Sequence, residues 1–216
     1  MLENDIEGVF NKYPNILYGY TNLDNSEYVK EYKSALVFAV PYDKHFTLDN
    51  YSEIELEDAI IRARNVVNEL VDELVVTLNN NNVKYKIAQV AQNDEESLLA
   101  PFSFKYAALN AGIGWIGKNN VIVTEQYGSQ QRLGAILIDH VARNYGARKL
   151  NQCPKECNRC VEICPFHAIK GVEWYPDVKR QEMIDYKLCN KQRSKFIEKH
   201  NRKSACGLCI IVCPLK

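Results

Sequence analysis

All eight cysteines of this 216-residue chain lie after residue 150. They form three pieces: Cys153-x3-Cys157-x2-Cys160-x3-Cys164-Pro165, then Cys189 alone, then Cys206-x2-Cys209-x3-Cys213-Pro214. Thiols at this density and spacing constrain the backbone more than any hydrophobic pattern in the chain. A C-x2-C turn is tight enough to wrap main chain around a metal centre, with amide N–H groups aimed at its sulfurs. The cysteine three residues further on leaves that loop, and the proline after it turns the chain in a new direction. Eight thiolates make two sets of four.

Three chemistries use cysteines in this way. Paired C-x2-C knuckles hold tetrahedral zinc, which would give two sites of four cysteines each. Disulfides need an oxidising compartment. The third is a pair of 4Fe–4S clusters, and the repeated C-x2-C-x3-C-P ending favours it, because in two-cluster ferredoxins the last cysteine of each motif ligates the other cluster. By that logic one cluster takes Cys153, Cys157, Cys160 and Cys213, and the other takes Cys164, Cys189, Cys206 and Cys209. The chain departs from the regular repeat twice. A regular second motif would carry a cysteine at position 203, where Lys203 stands, so Cys189 substitutes for it; and Cys153-x3-Cys157 is one residue wider than usual.

Charge divides at the same place. Residues 1–150 carry 14 Lys and Arg against 20 Asp and Glu, a net of −6, and residues 151–216 carry 13 against 7, a net of +6. A basic end points to nucleic acid or an acidic partner. Cluster thiolates bring negative charge of their own, however, and neutralise part of this excess, leaving the run KQRSKFIEKHNRK (191–203) locally basic. No run approaches 18 apolar residues, so no membrane partner is expected. The opening MLENDIEGVF lacks the order of a secretory signal, which predicts a cytoplasmic location.

Residues 1–150 read as one α+β domain around one sheet, followed by a ferredoxin-like domain over 151–216. The pattern predicts a short helix in 1–12 and a buried strand at SALVFAVP (34–41). A helix follows, in which Leu56, Ala59, Ile60, Ala63, Val67, Leu70, Val71, Leu74 and Leu78 recur at three- and four-residue steps. Four asparagines at 79–82 stop it. A strand is expected over 83–90, a helix over 98–111, and strands at 121–124 and 133–138 joined by EQYGSQQ.

The stretch GIGWIGKNN (112–120) spells G-x-G-x-x-G with Gly112, Gly114 and Gly117. A dinucleotide-binding turn needs a strand before it and a helix after it. Here a helical segment precedes and a strand follows, so the Rossmann reading fails. One alternative is that Gly112 caps the helix and the other glycines shape a turn. The stronger expectation is a ligand-facing loop, because the glycines admit a flat ligand and Trp115 offers a broad apolar face beside Lys118.

AALNAGIGWIGKNNVIVTEQYGSQQRLGAILID (107–139), followed by the cysteine motifs, resembles the epoxyqueuosine reductase family and its shorter double-4Fe–4S relatives. The resemblance covers roughly residues 83–214. It implies an N-terminal domain related to the nitroreductase and reductive dehalogenase folds, holding cobalamin, beside a two-cluster module; FMN is the second choice of cofactor. It places cofactor contacts at Gly112, Gly114, Trp115, Gly117, Lys118, Asn119, Gly128 and Ser129. The family's catalytic Asp lies in a V-D-S-A-P stretch. Here the corresponding strand ends Val90-Ala91-Gln92-Asn93-Asp94, which leaves Asp94, or Tyr106, as candidate proton donor. Full-length members continue with a helical-repeat region that helps hold tRNA, whereas this chain ends three residues after Cys213.

The function expected is an iron–sulfur oxidoreductase. It would take electrons from a ferredoxin- or flavodoxin-like donor and relay them through two 4Fe–4S clusters to a corrinoid or flavin, for a low-potential reduction of an unknown substrate. Two alternatives stand beside it: a non-catalytic electron carrier or reductive activator of a partner protein, and epoxyqueuosine reduction on tRNA itself.

Overall fold

SALVFAVP is apolar after its leading serine, and a strand of that composition is stable only where both faces are covered. In the computed structural model, which describes residues 2–24, 26–89, 100–201 and 206–215, it forms strand β2 and is buried from Ser34 to Val40. The elements run α1 (Leu2–Phe10), β1 (Leu17–Asn22), β2 (Ser34–Pro41), α2 (Glu53–Asn80), β3 (Tyr85–Ile87), α3 (Phe104–Asn110), β4 (Trp115–Ile116), β5 (Ile122–Val123) and β6 (Gln131–Ile138). The cysteine-bearing region adds α4 (Arg159–Glu162), α5 (Arg180–Met183), α6 (Tyr186–His200) and α7 (Leu208–Ile211).

The backbone divides into two compact units. The first comprises residues 1–41, 64–113 and 132–148, and the second residues 42–63, 114–131 and 149–216.

The first unit contains a four-stranded sheet ordered β1-β2-β6-β3. β1 pairs antiparallel with β2, from Leu17 opposite Ala39 to Asn22 opposite Ser34, and β3 pairs antiparallel with β6, from Tyr85 opposite Ile138 to Ile87 opposite Ile136. α1 closes over β1, with Phe10 stacked on Tyr18 at 3.8 Å between ring centroids. Leu70, Leu74 and Leu78 of α2 are fully buried, as their spacing requires.

The second unit contains the two-stranded sheet β4-β5, in which Trp115 faces Val123 and Ile116 faces Ile122. It has two apolar clusters. One joins Phe46, Leu56, Ala59 and Ile211; the other joins Ala168, Ile169 and Ile184, with Cys160, Cys164, Cys189 and Cys209 packed against it.

The structure departs from the sequence reading in places. There are two sheets where one was expected, and the strands either side of EQYGSQQ belong one to each. β1, β4 and the 15-residue α6 were not anticipated. The strand expected at 83–90 is short, because among the described residues it has one paired neighbour and Ile87 is exposed.

Candidate metal centres

The glycine stretch divides at residue 113. Gly112 takes φ +72°, its N–H donates to the Leu109 carbonyl at 3.1 Å, and the Ile113 N–H donates to the Ala108 carbonyl at 3.1 Å. That is a left-handed helix ending closed by a hydrogen bond from beyond the cap, a conformation glycine adopts without penalty. Gly114 opens the β4-β5 hairpin, where a Cβ would lie 2.2 Å from the Val123 carbonyl oxygen, so only glycine allows the strands to approach. The hairpin turns on Gly117, which donates to Val121 at 2.9 Å and accepts from Asn120 at 2.8 Å.

Two polar residues of this hairpin, Lys118 and Asn119, are buried and face the cysteine loops. Lys118 is 5% exposed, and its Nζ donates to the carbonyls of Lys155 at 2.9 Å and Cys157 at 3.2 Å. Asn119 Nδ2 donates to the Cys209 carbonyl at 3.1 Å, while its Oδ1 accepts from the Val121 N–H at 3.3 Å. Gly128, at φ +56°, exchanges two hydrogen bonds with Thr124. That turn sets the neighbouring Ser129 to donate to the Ile210 carbonyl at 2.8 Å, close to the Cys213 thiol. Trp115 is buried, and its Nε1 has no hydrogen-bond partner among the described residues.

The hairpin thus braces both ligand loops: Lys118 the 153–160 loop, and Asn119 and Ser129 the 206–213 loop. Tyr51, 155 residues away in sequence, adds a 2.6 Å bond to the Cys206 carbonyl. Asp185 Oδ1 accepts from the N–H groups of Lys187 and Leu188, capping the start of α6 and fixing Cys189 in its first turn. Tyr51 carries no sequence signal, because it acts through one long-range bond; Asp185 does carry one, as an Asp at a helix start, but the polar sequence after it hides the helix it caps.

Cys153, Cys157, Cys160 and Cys213 line one cleft, together with Lys118, Asn119, Pro154 and Arg159. Cys164, Cys189 and Cys206 neighbour one another, and Cys209 lies among them, close enough to Cys160 to sense its charge as well. Among the described residues no three His, Cys, Asp or Glu side chains group tightly enough to chelate a single ion. The Ala168 N–H donates to Cys164 Sγ at 3.3 Å, the amide-to-sulfur contact that iron–sulfur ligands use.

Burial dominates the thiol electrostatics. It pushes Cys160 up to about 11, with the neighbouring Cys153, Cys213 and Cys157 adding to the rise. Cys206, Cys209 and Cys213 are raised for the same first reason. Bare thiolates are therefore disfavoured here, and a cationic metal core is what would hold them deprotonated. The donor set suits such a core.

The corrinoid expectation meets a more mixed set of groups. The polar ends of Lys118, Asn119 and Ser129 are engaged with main chain, whereas the buried indole N–H of Trp115 has no partner among the described residues. Elsewhere, the first unit has a cleft of about 600 Å³ bordered by Thr21, Asp24, Phe102, Tyr106, Asn110 and Arg148. In it the Arg148 guanidinium donates to Tyr106 Oη at 3.0 Å and to Asn110 Oδ1 at 2.7 Å. Asp94 lies outside the described residues.

Residues 152–216 match a family described as the 4Fe-4S double cluster binding domain. A curated epoxyqueuosine reductase from Listeria monocytogenes is 31% identical over 116 residues, which cover 50% of this chain and 28% of that protein. The epoxyqueuosine reductase structure from Streptococcus thermophilus aligns over 99% of this chain and 65% of its own, with a TM-score of 0.66 at 15% identity. A reductive dehalogenase structure, said to suggest a mechanism for B12-dependent dehalogenation, aligns over 97% of this chain and 31% of its own, with a TM-score of 0.69 at 14% identity. The chain has the fold shared by epoxyqueuosine reductases and reductive dehalogenases. It is similar in sequence to the former over about half its length, and the matched stretch spans under a third of the Listeria relative. No helix among the described residues is long and apolar enough to cross a membrane.

Proposed function

We propose that this chain is an iron–sulfur oxidoreductase that passes single electrons through two 4Fe–4S clusters to a low-potential reduction. One cluster is held by Cys153, Cys157, Cys160 and Cys213, and the other by Cys164, Cys189, Cys206 and Cys209. The observation that carries the reading is the cleft that gathers Cys213 with three cysteines more than fifty residues earlier in sequence. That is the exchange of a last ligand between motifs that two-cluster chemistry requires. The electrons come from a small ferredoxin- or flavodoxin-like donor.

The terminal acceptor is a corrinoid bound in the protein, with a flavin as the alternative. Support comes from the B12-dependent dehalogenase of the same fold and from the buried, unpartnered Trp115 Nε1. When bound, a corrinoid supplies a strongly reducing metal centre. This chain's part is to shield the clusters from water and to hold their loops. A solved epoxyqueuosine reductase carries an epoxyqueuosine-modified tRNA stem loop, which makes modified tRNA the first substrate to try. Asp94 and Tyr106 remain the candidate proton donors, and Tyr106 borders the cleft of the first unit.

The test is anaerobic isolation followed by iron, sulfide and cofactor analysis. The reading requires brown protein with about eight irons per chain and an absorbance change on adding cob(II)alamin. Stoichiometric zinc without iron would overturn it. Iron without corrinoid or flavin binding would favour the carrier reading, in which the clusters serve a partner protein.

A further inference from the structure

Lys118 is an expensive residue to place where it is. Its side chain is 5% exposed, and the nearest carboxylate, Glu173 Oε1, stands 3.8 Å away on a side chain 46% exposed. Burying an ammonium carries a large desolvation penalty that a distant, solvated partner offsets poorly. Its two hydrogen bonds, to the Lys155 and Cys157 carbonyls, do not require a charge. The adjacent Asn119 bonds the Cys209 carbonyl with a neutral amide. The Lys118 side chain also lines the same cleft as Cys153, Cys157, Cys160 and Cys213. Ser129 and Arg159 border these thiols too, but Ser129 is neutral and the Arg159 position is exposed, where water screens it.

We infer that Lys118 is a potential-setting residue of the cluster on Cys153, Cys157, Cys160 and Cys213: a fixed buried positive charge that stabilises the reduced form. The inference rests on the two-cluster reading above. The step it governs is the gain of one electron by the oxidised cluster from the external donor, with no bond made or broken and no proton taken up. Each reduction adds one negative charge in a low-dielectric cleft, where a nearby ammonium acts with little screening. The carbonyl bonds hold Nζ in place, so the charge is positioned before the electron arrives. Lys118 therefore acts through the cluster and is a positioning residue.

The experiment is a redox titration of the anaerobically reconstituted full chain, followed by EPR and visible absorbance. Native protein is compared with K118M, which removes the charge, K118R, which keeps it, and K118Q, which keeps a donor without charge. Iron and sulfide content are measured first. The expected result is a tenfold or greater loss in the reduction equilibrium constant of one cluster in K118M and K118Q, about 59 mV for a one-electron couple. The other cluster stays near its native midpoint, and K118R stays within threefold of native. Unchanged midpoints in a fully loaded K118M or K118Q would overturn the inference. Equal shifts of both clusters, or a K118R shift as large as that of K118M, would also overturn it by showing that loop geometry sets the potential. Failure of both neutral variants to load would assign Lys118 to assembly and likewise overturn it. Iron-free native protein would instead defeat the two-cluster reading itself.

Discussion

Replacing Asn119 by alanine tests whether the hairpin holds the cysteine loops. Asn119 is 4% exposed and makes two hydrogen bonds, from Nδ2 to the Cys209 carbonyl and from the Val121 N–H to Oδ1. Alanine leaves both main-chain groups without their partner in a partly buried place. Each unsatisfied group costs about 1–3 kcal/mol, and relaxation around the cavity recovers part of that, so a net loss of about 2 kcal/mol is a fair lower figure for the pair. Because Cys209 is a proposed ligand, the loss falls on the loaded state and weakens cluster retention by roughly thirtyfold, taking 1.4 kcal/mol as a factor of ten. The assay is anaerobic bleaching of the visible absorbance by an iron chelator, on protein reconstituted to native iron content. N119D separates the two bonds. It keeps an acceptor for Val121 but turns a carboxylate oxygen toward the Cys209 carbonyl, so it should bleach at least as fast as N119A. Native bleaching rates in N119A, or a native-like N119D, would refute the bracing argument.

Other expectations follow from the same geometry. Cys189→Ala removes one ligand from the set on Cys164, Cys206 and Cys209, and iron should fall from about eight to about four per chain while the other cluster's EPR signal persists. Gly114→Ala places a Cβ 2.2 Å from the Val123 carbonyl oxygen, so the hairpin must open; an overpacking loss of about 1–3 kcal/mol should appear as a lower melting temperature and faster bleaching. The cluster-free, reduced chain should lose stability as pH rises. Burial lifts the Cys160 thiol from 9.0 to about 11, so in that window the unfolded chain has released a proton that the folded chain still holds. Melting temperatures measured from pH 8 to 10.5 should therefore decline, and the loaded chain, whose thiolates carry no proton, should lack that component.

The legible parts of the fold were those with a one-dimensional signature. The apolar run gave β2 to the residue at both ends, and the heptad-like recurrence from Leu56 to Leu78 gave α2, because burial on two faces or along one stripe leaves a periodic mark. β1 was missed because LYGYTN mixes aromatic and polar residues, and its burial depends on α1 and β2 rather than on its own pattern. α6 was missed because its sequence is polar along most of its length and takes its start from the Asp185 cap. The roles of Lys118, Asn119 and Ser129 were hidden for a different reason. A polar side chain beside glycines reads the same way whether or not it also meets a carbonyl 37 to 90 residues later, and only the folded paths of the 153–160 and 206–213 loops show that these three do.

That difference bears on where the stability of the ligand loops originates. Short C-x2-C turns have few side chains of their own to bury, and the helices that carry them, α4 and α7, are four residues long, too short to persist alone. In the second unit, order reaches these turns from two distant stretches. Phe46, Leu56 and Ala59 bury Ile211 of α7, and Gln130 ties the Phe46 main chain in both directions, at 2.8 and 2.9 Å. The β4-β5 hairpin and the following turn then bond the loop carbonyls directly. A cysteine pattern can specify which atoms would bind iron, but the rigidity that keeps those atoms in position comes from residues 42–63 and 114–131, which the pattern does not contain. Substitutions there should alter cluster retention without touching a ligand, and the effect should scale with the burial and hydrogen bonding each one removes.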